Sequence, residues 1–131
     1  MSSSFTEIDL DDLYLMDSFV LKIDVDPEAI AILADFVVLP TSPLYTAPKP
    51  HESHCFKRAV MTFAKWDNMY WHRSDKRFAI DADGEIDYGG FDEFSSYNNH
   101  YVIRGTFGDM SFDSNVPKIT LAKTAEADTV A

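Results

Sequence analysis

"FVLKIDVDPEAIAILADFVVLP", residues 19–40, decides the fold class of this chain. Before the central Asp-Pro-Glu-Ala, apolar side chains recur at every second position, at Phe19, Leu21, Ile23 and Val25. After it they recur again, at Ile30, Ile32, Ala34, Phe36 and Val38, until Pro40 ends the run. A period of two with many β-branched residues is typical of strands that bury one face.

The four residues between the two runs are compatible with two local structures. Asp26 can cap a helix that has Pro27 at its first position, which would give a short helix within residues 26–39. The same residues can form a tight turn with Pro27 at its second position. Because the second run alternates like the first, the sequence favours a β-hairpin over the helix.

Shorter segments of the same kind continue along the chain. They are "CFKRAVMTFAKW" with Cys55, Ala59, Met61 and Phe63 inward, "RFAID", "EIDY", "HYVIRGTFG", "DMSFDS" and "VPKITLA". "DNMYWHRSDK" has no clear assignment, and "GGFDEFSSYNN" is predicted to be a loop. About seven short strands with little helix predict a mainly β, single-domain antiparallel β-sandwich or small barrel. The predicted organisation is a flexible acidic N-terminal arm over 1–12, one β domain over 13–122 and a disordered tail over 123–131.

The segment "PTSPLYTAPKPHES", residues 40–53, contains four of the six prolines. Proline fixes its own φ angle and restricts the residue before it, so this segment is predicted to be an extended surface loop. Leu44 and Tyr45 are the apolar residues expected to hold the loop against the core.

Charge is distributed unevenly along the chain, whose net charge is −11. Residues 1–35 contain nine acidic residues and Lys22 alone as a base, whereas residues 49–77 contain seven bases and three acids. Six acids and no base follow in residues 81–93. Long-range repulsion of phosphates argues against binding to nucleic acid or to an anionic membrane, and the acidic surface predicts attraction of a basic protein partner.

Two further features bear on the compartment. The single Cys55 excludes an intrachain disulfide framework, which suits a reducing environment. The N-terminal stretch has no basic and apolar regions of a secretory signal, and the apolar run over 29–39 is too short to cross a membrane. A cytoplasmic protein is therefore expected.

"IDADGEIDYGGFDEF", residues 80–94, resembles the calcium loop of an EF-hand over about ten residues. That loop needs oxygen ligands at its first and twelfth positions and glycine at its sixth. With Gly84 at the sixth position, Ala79 and Gly90 occupy the first and twelfth, so both essential ligands are missing. A hairpin turning at Asp83-Gly84 explains the same residues, and it would present Asp81, Asp83, Glu85 and Asp87 to a partner.

"HESHC" places His51, His54 and Cys55 within five residues. These side chains are zinc-ligand types, but a zinc site normally needs a second cluster, so they are weak metal candidates. No nucleophile–base motif, phosphate-binding glycine loop or dinucleotide fingerprint occurs, so neither catalytic residues nor a cofactor are predicted.

"KWDNMYWHR", residues 65–73, combines residue types that are enriched at the centres of protein interfaces. Trp66, Tyr70, Trp71 and Arg73 are therefore candidate binding residues, although two Trp residues can equally close one end of a sandwich. The sequence predicts a non-enzymatic binding protein, of a bacterial immunity or accessory type, that recognises a basic protein. The alternatives are a small-molecule-binding or enzyme-like domain with a pocket of Trp66, Tyr70, Trp71 and Tyr101, and the His/Cys metal protein.

Overall fold

The computed structural model describes residues 7–73, 79–80, 86–87 and 89–122, and these residues form eleven strands and one 3-10 turn, Leu10–Asp12. The strands are β1 (Glu7–Ile8), β2 (Leu13–Val25), β3 (Ala29–Val38), β4 (Cys55–Ala64), β5 (Asp67–Arg73), β6 (Ala79–Ile80), β7 (Ile86–Asp87), β8 (Phe91–Tyr97), β9 (His100–Gly105), β10 (Gly108–Asp113) and β11 (Lys118–Leu121).

Two antiparallel sheets pack against each other. One has five strands in the order β1-β11-β4-β3-β2, the other has four in the order β5-β10-β9-β8, and β6 and β7 form a separate pair. The mainly β class and the sandwich are thus confirmed, while the alternative of a small barrel is wrong because the sheets do not close on themselves. No helix in the described part of the chain has the length and apolarity to cross a membrane.

The hairpin predicted for residues 19–40 is confirmed, and the short helix is wrong. Strands β2 and β3 pair through Ile23 with Ile32 and Val25 with Ile30. In the turn, one carboxylate oxygen of Asp26 accepts hydrogen bonds from the backbone N–H groups of Glu28 and Ala29, at 2.8 and 2.9 Å. An aspartate that bonds the backbone two and three residues ahead stabilises a turn directly.

The predicted inward face of β2 is correct only in part. Phe19 was expected in the core, yet its side chain is 47% exposed and Val20 beside it is fully buried. Val20 pairs with Ala34 and Lys22 with Leu33, so Leu21 is an extra residue on β2. Such a β-bulge reverses which side chains face the core, because alternation resumes one position later.

The core lies between the sheets and is largely aromatic. The inward positions predicted on β3 and β4 are all confirmed as buried. The ring of Phe63 on β4 lies at the centre, 5.0 Å from the ring of Tyr101 and 4.8 Å from that of Phe112, both from the opposite sheet. Edge-to-face pairs of this kind stabilise a core beyond the area they bury. Leu44 and Tyr45 of the proline-rich loop pack against this core, as predicted.

Three strands were not predicted. "DNMYWHR" forms β5, and "FDEFSSY", which was expected to be a loop, forms β8. Strand β8 turns into β9 through Asn98 and Asn99, whose φ angles of 49° and 65° fit the left-handed turn of a two-residue hairpin. Strand β1 lies within the predicted N-terminal arm: Glu7 and Ile8 pair with Thr120 and Ile119, and Ile8 is buried.

The acidic stretch is flanked by strands rather than by helices. Ala79 pairs with Asp87 and Ile80 with Ile86, which agrees with the predicted hairpin and not with a helix-loop-helix motif. The connecting residues 81–85 lie outside the described residues, as do residues 1–6 and the predicted tail over 123–131.

Candidate functional site

A cleft of about 380 Å³ opens beside the middle of strand β2. Its walls come from β2, from the end of the proline-rich loop with the start of β4, and from the start of β8. The lining residues are Met16, Asp17, Ser18, Phe19, Ser53, His54, Phe56, Gly90, Phe91 and Asp92. The cleft therefore lies where one edge of the five-stranded sheet meets the four-stranded sheet.

An irregularity in β2 shapes one wall of this cleft. Tyr14 pairs with Val37 and Phe19 with Asp35, so β2 advances five residues while β3 advances two. The buried hydroxyl of Ser18 bridges the irregularity: it donates to the carbonyl of Tyr14 and accepts from the N–H of Val37, both at 2.9 Å. A side chain thereby replaces backbone pairing and keeps the buried polar groups satisfied.

The two glycines at 89–90 connect this strand to the other sheet. The N–H of Val20 donates to the carbonyl of Gly89 at 2.7 Å, and Phe19 and Gly90 form an antiparallel bridge. A Cβ atom at Gly90 would lie 2.9 Å from the carbonyl oxygen of Ser18, which is too close for another residue. The sequence predicts only a loop here, whereas in the structure the glycines permit a close backbone contact.

The apolar part of the cleft consists of two phenylalanines and a methionine. The rings of Phe19 and Phe56 lie 5.8 Å apart between centres, inclined at 35°. Phe19 and Met16 are 47% and 44% exposed, so nearly half of each side chain faces solvent. Exposed residues of this size beside a concavity are typical of a binding surface.

The polar part is a histidine–aspartate pair. Nε2 of His54 lies 2.9 Å from a carboxylate oxygen of Asp17, and the imidazole ring packs edge-on against Phe56 with centres 5.9 Å apart. A nitrogen that donates to a carboxylate must carry the proton, so the neutral ring would leave Nδ1 as an acceptor. Asp92 adds a second, exposed carboxylate, and none of the described residues that line the cleft is a lysine or an arginine.

The candidate residues of the aromatic segment lie elsewhere. Trp66 donates its indole N–H to the carbonyl of Asp26 at 2.7 Å, and Trp71 donates to the carbonyl of Phe107 at 3.2 Å. Both indoles are partly buried against the core and hold loops at opposite ends of β5. Tyr70 points outward and is 60% exposed.

The structure does not bring the four residues of the predicted aromatic pocket together. Tyr70 and Trp71 are neighbours on a strand and face opposite sides, and Tyr101 is buried in the core, where burial raises the pKa of its phenol. Arg73 ends β5 opposite Gly108. Asp81, Asp83 and Glu85 lie outside the described residues, and the backbone of Asp87 pairs in β7.

The three candidate metal ligands diverge. His51 is exposed, His54 pairs with Asp17, and Cys55 is buried with its Sγ accepting a hydrogen bond from the N–H of Thr46 at 3.4 Å. Within the described ranges, no group of three or more His, Cys, Asp or Glu side chains is arranged to hold a metal ion. Of these candidates, only His54 lies in the cleft.

A second histidine–aspartate pair lies on the outer face of the four-stranded sheet. Asp113 accepts hydrogen bonds from the side-chain amide of Asn68 and from Nδ1 of His100, both at 2.7 Å. These bonds, with Asn68 first and His100 second, hold the pKa of the Asp113 carboxyl below its usual value. The cluster joins β5, β9 and β10 on an open surface, so it stabilises the sheet without enclosing a ligand site.

Most residues of the cleft were not found from the sequence. Met16, Asp17, Phe19 and Asp92 come from two strands that are distant along the chain, and nothing in their spacing links them. One signal was present: Phe56 occupies an outward position on β4, next to the predicted inward Cys55. Comparisons of the chain with protein-family models, with curated proteins and with solved structures found no match.

Proposed function

We propose that this chain is a non-enzymatic binding protein that recognises a basic protein partner through the cleft beside β2. The observation that carries the proposal is the composition of that cleft, in which exposed Phe19 and Met16 adjoin the carboxylates of Asp17 and Asp92. The expectations of a bacterial immunity or accessory role and of a cytoplasmic location belong to this proposal.

The apolar surface of the cleft supports partner binding on energetic grounds. Phenylalanine and methionine are enriched at interfaces, and truncation of a few such residues typically removes most of the binding energy. Tyr14, on the same strand and 45% exposed, extends the surface beyond the cleft. The hydroxyl of Ser18 is already engaged by two backbone groups, so its role in the cleft is structural.

Charge supports the choice of a basic partner. Asp17 and Asp92 belong to a chain whose net charge is −11, so the surface around the cleft attracts cations over about a Debye length. Complementary charge chiefly increases the association rate, which should fall as salt is added.

The test begins with a partner captured from the native host and purified. Its association rate is then measured against the wild-type chain and against Asp17→Asn/Asp92→Asn, at about 50 and 300 mM salt. We expect the double variant to associate several-fold more slowly at low salt. Asp24→Asn/Glu28→Gln removes the same charge from exposed positions near the β2–β3 turn and serves as the matched control. Equal rates for the two double variants, or a partner that is not basic, would contradict the proposal.

A second candidate function is the binding of a small molecule. The cleft volume of about 380 Å³ falls within the range of small-ligand pockets, roughly 300–1,000 Å³. A compound that raises the melting temperature of the wild type but not of Phe19→Ala would support this function. A library without any such compound would leave the protein partner as the better candidate.

A further inference from the structure

We propose that the cleft beside β2 accepts an arginine side chain of the partner, with the guanidinium stacked on Phe19 and paired with Asp17. This inference rests on the proposed function and adds the chemical group that the site recognises. It uses two properties of the cleft together, the open aromatic face and the partly free carboxylate, and each is supported by separate observations.

The aromatic face is available to a cation. Phe19 is 47% exposed while its ring contacts that of Phe56, with centres 5.8 Å apart, so much of the ring is open to solvent. The face of an aromatic ring carries partial negative charge and attracts a cation that lies within about 6 Å of its centre. A flat guanidinium stacks on such a face better than a compact ammonium does.

The carboxylate is also available. His54 contacts one oxygen of Asp17, and the Asp17 side chain remains 49% exposed, so its other oxygen can accept a donor from outside. Asp92 contributes a second carboxylate to the same cleft. A guanidinium has five N–H donors in a planar arrangement, so it can bond a carboxylate while it stacks on a ring.

The same sheet contains an internal example of this pairing. Arg58 on β4 donates to both carboxylate oxygens of Asp35 on β3, from Nε at 2.8 Å and from Nη2 at 3.1 Å. The residue paired with Asp35 on the other side is Phe19 itself. A guanidinium–carboxylate pair therefore already exists on the strand next to Phe19.

The experiment is an NMR titration of the full chain with N-acetyl-arginine amide, observed through the methyl signal of Met16 and the aromatic signals of Phe19 and Phe56. N-acetyl-citrulline amide, which has nearly the same shape without the charge, is the ligand control. We expect saturable shifts at these residues with a millimolar Kd and binding at least five-fold weaker for citrulline. Asp17→Asn and Phe19→Leu should each weaken arginine binding at least three-fold, whereas Tyr70→Leu, which removes an exposed ring elsewhere, should leave it unchanged.

Two results would overturn the inference. Equal affinity for arginine and citrulline would show that only the apolar surface binds. Shifts of equal size in methyl and aromatic signals far from the cleft would show unspecific charge attraction. If either result is obtained while the association rate of a basic partner still depends on Asp17 and Asp92, the arginine site is refuted and the proposed function stands. If the association rate of the partner is also unaffected by loss of these two carboxylates, both the arginine site and the proposed function are refuted.

Discussion

Replacement of Ser18 by alanine tests how the irregular part of β2 is held together. The Ser18 hydroxyl is buried and joins the carbonyl of Tyr14 to the N–H of Val37, which is itself a buried residue. In Ser18→Ala the N–H of Val37 loses its acceptor inside the protein, which costs about 1–3 kcal/mol, and the Tyr14 carbonyl loses a bond worth about 1 kcal/mol. We therefore expect the free energy of unfolding to fall by about 2–4 kcal/mol.

Urea denaturation followed by tryptophan fluorescence measures this change. For a slope of about 2 kcal/mol per molar urea, the midpoint should fall by roughly 1–2 M. In a thermal scan, about 4 °C per kcal/mol for a domain of this size gives a decrease of roughly 8–16 °C. Ser96→Ala is the matched control, because Ser96 is an exposed serine on strand β8 and should change stability by less than about 0.5 kcal/mol.

One result would refute this reasoning. If Ser18→Ala lost no more stability than Ser96→Ala, then the Val37 N–H would have another partner in solution. The two hydrogen bonds of Ser18 would then not be what maintains the irregularity of β2 or the wall of the cleft. A lower midpoint with an unchanged slope is the expected pattern, since the surface exposed on unfolding should stay the same.

Three further substitutions probe other parts of the sandwich. The lowered pKa of Asp113 contributes stability that is present above the ordinary pKa of 3.8 and is lost as the pH falls through the pKa of the folded state. Acid should therefore reduce the difference in thermal midpoint between the wild type and Asp113→Asn, and a difference that stays constant with pH would contradict this. Burial raises the pKa of Tyr101, so this tyrosine costs the folded state stability once the pH rises above the ordinary value of 10.0. Tyr101→Phe should therefore resist alkaline unfolding above about pH 10 better than the wild type, and identical alkaline curves would refute the burial effect. In Gly105→Ala the new Cβ would collide with the carbonyl of Gly90 and the ring of Phe107, so we expect the free energy of unfolding to fall by about 1–3 kcal/mol in urea denaturation. An unchanged midpoint would show that the surrounding structure relaxes to accommodate the methyl group.

The parts of the fold that were predictable are those in which local pattern and burial agree. Strand β3 has a neighbour on both sides in its sheet, and its buried positions Ile30, Ile32, Ala34 and Phe36 follow the alternation of the sequence. The turn at Asp26 was likewise readable, because aspartate followed by proline is a local signal for chain reversal.

The parts that were missed depend on contacts between distant residues. Strand β5 begins between two residues with positive φ angles, Lys65 just before it and Asn68 near its start, at 56° and 55°, a conformation that non-glycine residues seldom adopt. It pairs with β10, about 40 residues later in the chain, and the bond from Trp66 to Asp26 ties its start to the β2–β3 turn; no local pattern reveals either contact. The sequence predicts a loop in place of strand β8, because the turn that follows this strand is Asn-Asn rather than the more common Asn-Gly.

The cleft was unpredictable for a related reason. Alternation placed Phe19 in the core, and only the extra residue Leu21 with the pairing of β2 to Gly90 turns the phenylalanine outward. A bulge changes register without changing composition, so the sequence pattern on either side of it looks regular. The acidic surface was predictable from charge, but the meeting of Asp17 and Asp92 required the packed sheets.

The buried Cys55 gives this chain a built-in reporter of motion. Its sulfur lies against Thr46 in the proline-rich segment and is nearly inaccessible, and it is the sole thiol of the chain. A thiol reagent can therefore react only in molecules in which that segment has lifted away or the sandwich has come apart. The rate of mass increase in native buffer, compared with the rate for an unprotected thiol, would measure the free energy of that opening without denaturant.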